Sequence, residues 1–173
     1  NQAFDGLLPA LQSGKIDLII AGMTVTDERK KAVDFSESYY TASQVIIVPA
    51  DNAAIKSFDD LKGKNVGVQI GTTGDTVISE IKEITNTKYN NGSEAVLALT
   101  TQKVDAVVID NEPAKNFVAK NTGLKVVDTG AVKEDYAIAI SKGNKELLDK
   151  VNTGLKTLKE NGKYDELIAK WFK

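Results

Sequence analysis

The 173-residue chain contains no cysteine and no histidine. Without cysteine there is no disulfide framework, thiol nucleophile, thiolate zinc site or iron–sulfur cluster. Without histidine a Ser-His-Asp triad is excluded, and so is a histidine-ligated metal. No metal and no cofactor are expected. Formal net charge is -2, so no global basic field draws the chain to nucleic acid or an anionic membrane. No apolar run approaches the ~20 residues of a membrane span; the longest, Ile16 to Met23, is broken by Asp17. Arginine is scarcer than any other charged type. Of 22 basic residues only Arg29 is arginine and the rest are lysine.

What is present is ordinary for a globular protein: 42% hydrophobic and 27% charged residues. The chain opens at Asn1-Gln2-Ala3-Phe4 with no initiator methionine. It enters a helical pattern at once, as a cut inside a longer protein would.

Asp5 is placed to cap a helix through Leu7, Leu8 and Leu11, ended by Gly14. Ile16 to Gly22 reads as a buried strand. Thr26-Asp27-Glu28-Arg29 opens a short helix with acidic residues in its first turn. Gln44 to Val48 is a strand closed by Pro49. Ser57-Phe58-Asp59-Asp60 starts a short helix ended at Gly63. Asn65 to Ile70 is a strand, Gly71-Thr72-Thr73-Gly74 a tight turn, and Asp75 to Ile84 a helix. Ser93 caps the next helix. Val104 to Ile109 is a buried strand, and Glu112 to Asn121 a helix with Pro113 at its start. Leu124 to Val127 and Tyr136 to Ile140 are strands. Helices over Asn144 to Asn161 and Tyr164 to Phe172 close the chain. The alternation of strand and helix predicts an α/β fold with mostly parallel sheets.

The chain also rhymes with itself. Leu7 to Gly22 aligns without a gap on Ala95 to Asp110, with Ala10 on Ala98, Leu11 on Leu99, Lys15 on Lys103 and Asp17 on Asp105. Each copy is a helix, a polar turn and a buried strand. Chance similarity between αβ units gives some of this; the functional reading is two similar lobes. Ligands of open α/β sheets sit off the carboxyl ends of strands, and the matching strands end at Ala21-Gly22 and Ile109-Asp110.

Three places converge. Ala21-Gly22-Met23-Thr24 ends a strand with open backbone groups and a hydroxyl, and leads to Arg29. As a planar five-donor fork, Arg29 suits a carboxylate gripped at two points; the plain alternative is a surface cation. Gly71-Thr72-Thr73-Gly74 is a strand-to-helix turn whose free N–H groups favour an anion, and otherwise a simple turn. It matches neither Gly-x-x-x-x-Gly-Lys nor Gly-x-Gly-x-x-Gly. Asp110 ends an apolar strand and reads both as a ligand carboxylate and as a helix cap. Arg29 with the Thr72-Thr73 amides suits an α-carboxylate. Asp110 with carbonyls near Gly22 suits an α-ammonium. Buried charges require partners, so the ligand would be a zwitterionic amino acid.

The sequence Ile20-Ala21-Gly22-Met23-Thr24-Val25-Thr26-Asp27-Glu28-Arg29-Lys30, with Val33-Asp34-Phe35-Ser36 and Tyr39-Tyr40, resembles the main motif of the amino-acid-binding proteins that serve ABC importers. These are family 3 extracellular solute-binding proteins. Asp59, Leu61-Lys62-Gly63-Lys64, Val66-Gly67-Val68 and Gly71-Thr72-Thr73 resemble the start of that family's second lobe. Asn161-Gly162, Tyr164, Ile168 and Trp171-Phe172 resemble its C-terminal end.

The resemblance implies a two-lobed type II periplasmic-binding-protein fold that closes on one polar or basic amino acid, without enzymatic chemistry. It puts the first lobe at 1–43 plus 134–173 and the second at 44–133. It assigns Arg29 to the ligand carboxylate, and the Ala21, Gly22, Met23 and Thr24 stretch to its carboxylate and ammonium. Thr72 and Thr73 fall to a carboxylate clamp, Asp110 to the ammonium and Gln69 to the side chain. The implied partner is a membrane permease, and the implied location is extracytoplasmic, with a lipid anchor in the full-length protein as one form. Family members carry a further stretch before the position of Phe4, two strands and a helix of the first lobe. That stretch is absent here. The first lobe is therefore expected to be incomplete, with an unpaired strand edge inviting self-association or domain swapping. A fragment that folds without binding, and a sensor domain of a larger receptor, are the alternatives. Some relatives are dehydratases on small carboxylates; by that reading Asp110 would be the general acid or base.

Overall fold

The computed structural model describes residues 2–172, which divide into two compact units. The larger comprises Asn1–Asp5 and Ala42–Lys133, the smaller Gly6–Thr41 and Glu134–Lys173. Strand β2 (Val33–Pro49) and strand β6 (Leu124–Ser141) each begin in one unit and end in the other.

The larger unit holds β3 (Asn65–Gln69), α3 (Thr73–Glu80), β4 (Thr85–Tyr89), α4 (Gly92–Thr100), β5 (Ala106–Asp110) and α5 (Asn111–Lys120). β3 lies parallel to β4 and β5, while β5 runs antiparallel to β2, with Gln44 opposite Asp110 and Ile46 opposite Val108. Both faces are covered. Val45, Ile47 and Val107 pack with Ala95 and Leu99 of α4. Ile46, Val48 and Val108 pack with Val66 and Val68 of β3 and with Ile78 of α3. Two buried faces on a period-2 strand explain the unbroken apolar run Val45 to Val48.

The smaller unit holds α1 (Leu7–Gln12), β1 (Leu18–Ile19), α2 (Asp27–Ala32), α6 (Lys145–Glu160) and α7 (Lys163–Trp171). β1 pairs antiparallel with β6, Leu18 opposite Ile140. α6 lays Leu147, Leu148, Val151 and Leu155 against Ile138 and Ile140. That is the i, i+4, i+8 stripe of a helix buried on one side.

Several expectations need correction. Asp5 caps no helix: it sits in a 3-10 turn (Phe4–Gly6), and Gly6 precedes α1. α3 begins at Thr73, capped by Thr72, and ends at Glu80 rather than Ile84. Asn91, not Ser93, caps α4, accepting from the Glu94 N–H. The sequence gives no sign of β4, because Thr-Asn-Thr-Lys-Tyr carries no apolar alternation; it pairs in parallel with β3, and the Thr87 hydroxyl donates across to Asn65 Oδ1 at 2.6 Å. The Leu124–Val127 and Tyr136–Ile140 segments are parts of one strand, and β2 starts eleven residues before Gln44, at Val33. The sheet is mixed rather than mostly parallel.

The internal repeat is physical. Ser13, Gly14 and Lys15 N–H donate to the carbonyls of Pro9, Leu11 and Ala10, and Thr101, Gln102 and Lys103 donate to those of Leu97, Leu99 and Ala98. The matching middle residues, Gly14 and Gln102, both have positive φ, 70° and 58°. One helix-stop geometry therefore serves both copies.

Candidate functional site

In the smaller unit the stretch after β1 is held from several sides. Thr24 bridges to Tyr136, Val25 N–H donates to Asp135 O at 2.9 Å, and Ala137 N–H donates to Met23 O at 3.2 Å. Thr26 caps α2, accepting from the Arg29 N–H at 3.1 Å. That cap turns Arg29 back toward the strand end, where its Nη1 donates to Thr24 O at 2.7 Å. One arm of the fork thus fixes the loop it belongs to. Arg29 is half-buried. The Thr24 hydroxyl donates to Glu134 at 2.8 Å, so its own proton is spent on a carboxylate that sequence reasoning missed.

Gly22 is exposed, and any side chain there would meet the Tyr136 ring at 3.1–3.2 Å. Glycine lets the backbone lie directly on the aromatic face; a larger residue would require the Tyr136 ring to shift by a few tenths of an ångström. Tyr39 donates to Ala21 O at 3.0 Å. Burial pushes the Tyr39 phenol above its usual pKa, so it stays a proton donor. The carbonyl expected to be open at Ala21 is therefore occupied. Met23 is 0% exposed, its N–H turned to Ala21 O and its carbonyl to Ala137. It is a core anchor of the strand end and offers no surface to a ligand.

In the larger unit, Gly71 takes φ 78°, and a side chain there would lie 2.9 Å from the Asp5 side chain. The turn it starts is braced by Asp75, a buried residue of α3. Asp75 accepts from Gly71 N–H at 3.1 Å, Asn86 Nδ2 at 3.0 Å, Ser79 Oγ at 3.2 Å and Lys88 Nζ at 2.9 Å. Burial raises the Asp75 pKa, but the bonds from Lys88, Gly71 and Asn86 outweigh it and hold the carboxyl below the ordinary aspartate range. The free N–H groups expected in this turn are partly spent: Gly71 on Asp75, and Thr72 on Gln69 O at 3.4 Å. The Thr72 hydroxyl donates to Gln69 O at 2.8 Å and accepts from Asp75 N–H at 3.3 Å. Gln69 itself is at the β3 end, its amide 3.5 Å from Asn90 O.

Asp110 ends β5 and stands at the cap position of α5, yet its side chain makes no cap bond. It accepts from Gln44 Nε2, which also donates to Thr73 Oγ1 at 3.0 Å. The larger unit therefore brings Thr73 and Asp110 together around one buried amide, with Thr72 next to Thr73 in the turn. Gln44 gave no sequence signal beyond being a polar residue at the head of the apolar run Val45 to Val48. Among the described residues no group of three acidic side chains could hold a metal ion.

A mixed α/β chain in two units, with oriented carboxylate and hydroxyl groups in one and a single looped-back arginine in the other, has the make-up of a solute-binding protein. The chain belongs to the bacterial extracellular solute-binding proteins, family 3, whose family model matches residues 1–173. It is 38% identical over 173 residues to a probable histidine-binding protein of Campylobacter jejuni, a match covering 97% of this chain and 66% of the relative. It is 38% identical over 175 residues to the arginine-binding extracellular protein ArtP of Bacillus subtilis, covering 98% and 68%. Among solved structures, an ancestral arginine-binding protein bound to arginine superposes with TM-score 0.96 at 48% identity, covering 99% of this chain and 78% of that one. The chain thus spans about two thirds of the length of these curated relatives, and its fold is the two-lobed α/β fold of the family.

Proposed function

We propose that this protein captures a polar or basic L-amino acid, of the arginine, glutamine, lysine or histidine class, and hands it to the permease of an ABC importer outside the cytoplasm. The relatives are named for histidine and arginine binding. The observation that carries the reading is Asp110: a carboxylate at a helix start that is turned by Gln44 and makes no cap bond to its own helix. An ionised carboxylate is acceptor-only and suits an α-ammonium. Thr72 and Thr73 in the same unit, and Arg29 in the other, are the groups for the α-carboxylate; the backbone at Gly22 and Thr24 meets the ammonium and the carboxylate, and Gln69 is the side-chain contact. The role is binding without catalysis, in keeping with the absence of histidine and cysteine and with relatives named as binding proteins. Lipid anchoring of the full-length protein is part of the same reading.

Calorimetric titration with the common amino acids tests it. Micromolar or tighter binding of one or two polar or basic amino acids is expected; no binding by the folded chain removes the reading. Arg29→Lys keeps the charge but loses the fork, and should weaken binding more than tenfold, about 1.4 kcal/mol. An unchanged dissociation constant takes Arg29 out of the site.

Self-association at β1 has its own support. β1 ends the strand order, and Ile20 beside it is 66% exposed where its repeat counterpart, Val108, is 1% exposed, paired with β3 and covered by α3. Sedimentation should show oligomers that Ile20→Lys dissolves; a monomer at all concentrations refutes this.

A further inference from the structure

We propose that Gln44 is the positioning residue of the amino-acid site, fixing the Asp110 carboxylate and the Thr73 hydroxyl relative to each other. This rests on the capture reading above. Gln44 is 2% exposed and stands opposite Asp110 in the β2–β5 register, on the pleat face it shares with Ile46 and Val48. α3 packs on that same face through Ile78, which brings Thr73 at the helix start over the ends of both strands. One amide nitrogen therefore reaches both groups, donating one N–H to Asp110 Oδ1 and the other to Thr73 Oγ1.

A donor-only nitrogen between them sets their polarity. Asp110 Oδ1 is engaged as an acceptor. The Thr73 oxygen is used as an acceptor, so its hydroxyl donates toward its other neighbours. Both groups are of the kind a zwitterion requires: a carboxylate for the ammonium and a hydroxyl for the carboxylate.

The arrangement is costly to the fold. The Gln44 Oε1 is buried and has no hydrogen-bond partner among the described residues. A side chain at Gly74 would come within 2.9 Å of that oxygen, so the glycine leaves the amide its place. A glutamine serving the core alone would be better replaced by an apolar side chain of similar size, because an unpaired buried carbonyl oxygen is a standing penalty. What the amide does well is orient Asp110 and Thr73.

The test is Gln44→Met, with L-arginine and its des-amino analogue guanidinovalerate as probes, or L-glutamine if that is the amino acid the chain binds. The affinity for the amino acid should fall at least tenfold and that for the des-amino analogue less, while the unfolding midpoint stays or rises. In an Asp110→Asn background the same change should cost less than threefold, since the group being oriented is already altered. Gly74→Ala, which displaces the amide oxygen, should weaken binding in the same direction. Should Gln44→Met fail to fold, the isosteric Gln44→Glu sets a carboxylate against Asp110 and should lose at least as much affinity. Affinity within twofold in Gln44→Met, or an equal loss with Asp110 and with Asn at that position, overturns the positioning role and leaves capture standing. If Asp110→Asn alone leaves binding unchanged, the assignment of Asp110 in the capture reading fails, and this proposal falls with it.

Discussion

Replacing Asp75 by Asn separates charge from shape at the turn that carries Thr72 and Thr73. The Asp75 side chain is 9% exposed and its carboxylate accepts from four donors: Oδ2 takes Gly71 N–H, and Oδ1 takes Asn86, Ser79 and Lys88. Asparagine has one acceptor where aspartate has two. Whichever way the amide lies, an NH2 group faces either the Gly71 N–H or the cluster from Asn86, Ser79 and Lys88. A buried donor left unpaired costs about 1–3 kcal/mol. The lost ion pair adds less than about 1 kcal/mol, because Lys88 is nearly half exposed. A total of about 1–4 kcal/mol should lower the unfolding midpoint by roughly 2–16 °C for a chain of this size.

The pH dependence has a definite sign. The folded-state pKa of Asp75 lies below its unfolded value of about 4. Its contribution is therefore full above that unfolded value and is lost as pH falls through the folded one. Urea unfolding of both proteins should show the full gap at pH 7 and a shrinking one below about pH 4. Hydrogen exchange at the Gly71 amide should speed up in the variant, since its acceptor is gone or weakened. A gap under about 1 kcal/mol at pH 7, or one that persists unchanged at pH 3, would refute the account of Asp75 as the ionised brace of this turn.

The repeated helix stop gives a paired prediction: Gln102→Gly should stabilise by about 0.5–1 kcal/mol by relieving a left-handed non-glycine residue, while Gly14→Ala should destabilise by a similar amount. No atom lies within 4 Å of a side chain built at Gly14, so the second effect is conformational alone; equal signs in urea unfolding would dismiss the equivalence. Ser36→Ala removes the acceptor of the Ile138 N–H, 2.9 Å away and buried, and should cost about 1–3 kcal/mol with faster exchange at Ile138. Asp110→Asn should weaken amino acids more than their des-amino analogues in calorimetry, and equal weakening would make Asp110 a structural residue.

Much of the architecture follows from residue order alone. Apolar runs at Val45 to Val48 and Ala106 to Ile109 fix the central strands, because a strand buried on both faces admits little else. The stop signals at Gly14, Gly63 and Gly162, all at positive φ, mark helix ends or turns by a local steric rule. The lone arginine, the glycine turn and Asp110 could be singled out because each is an anomaly of composition or position. The likeness of Leu7–Gly22 to Ala95–Asp110 was legible for the same reason, since both copies repeat one set of local hydrogen bonds.

Tertiary structure decided what depended on partners distant in sequence. β4 exists because β3 offers it a backbone edge, not because its own residues alternate. The Ala21 carbonyl looks available in the sequence, but the fold brings Tyr39 to it. Met23 looked like part of a binding loop, but its side chain falls into the core. Gln44 stood in the sequence as a polar residue before a strand. Its place between Asp110 and Thr73 comes from a strand register and a helix packed on one face. No local pattern carries that information, because each contact joins residues far apart along the chain and is selected by burial rather than by propensity.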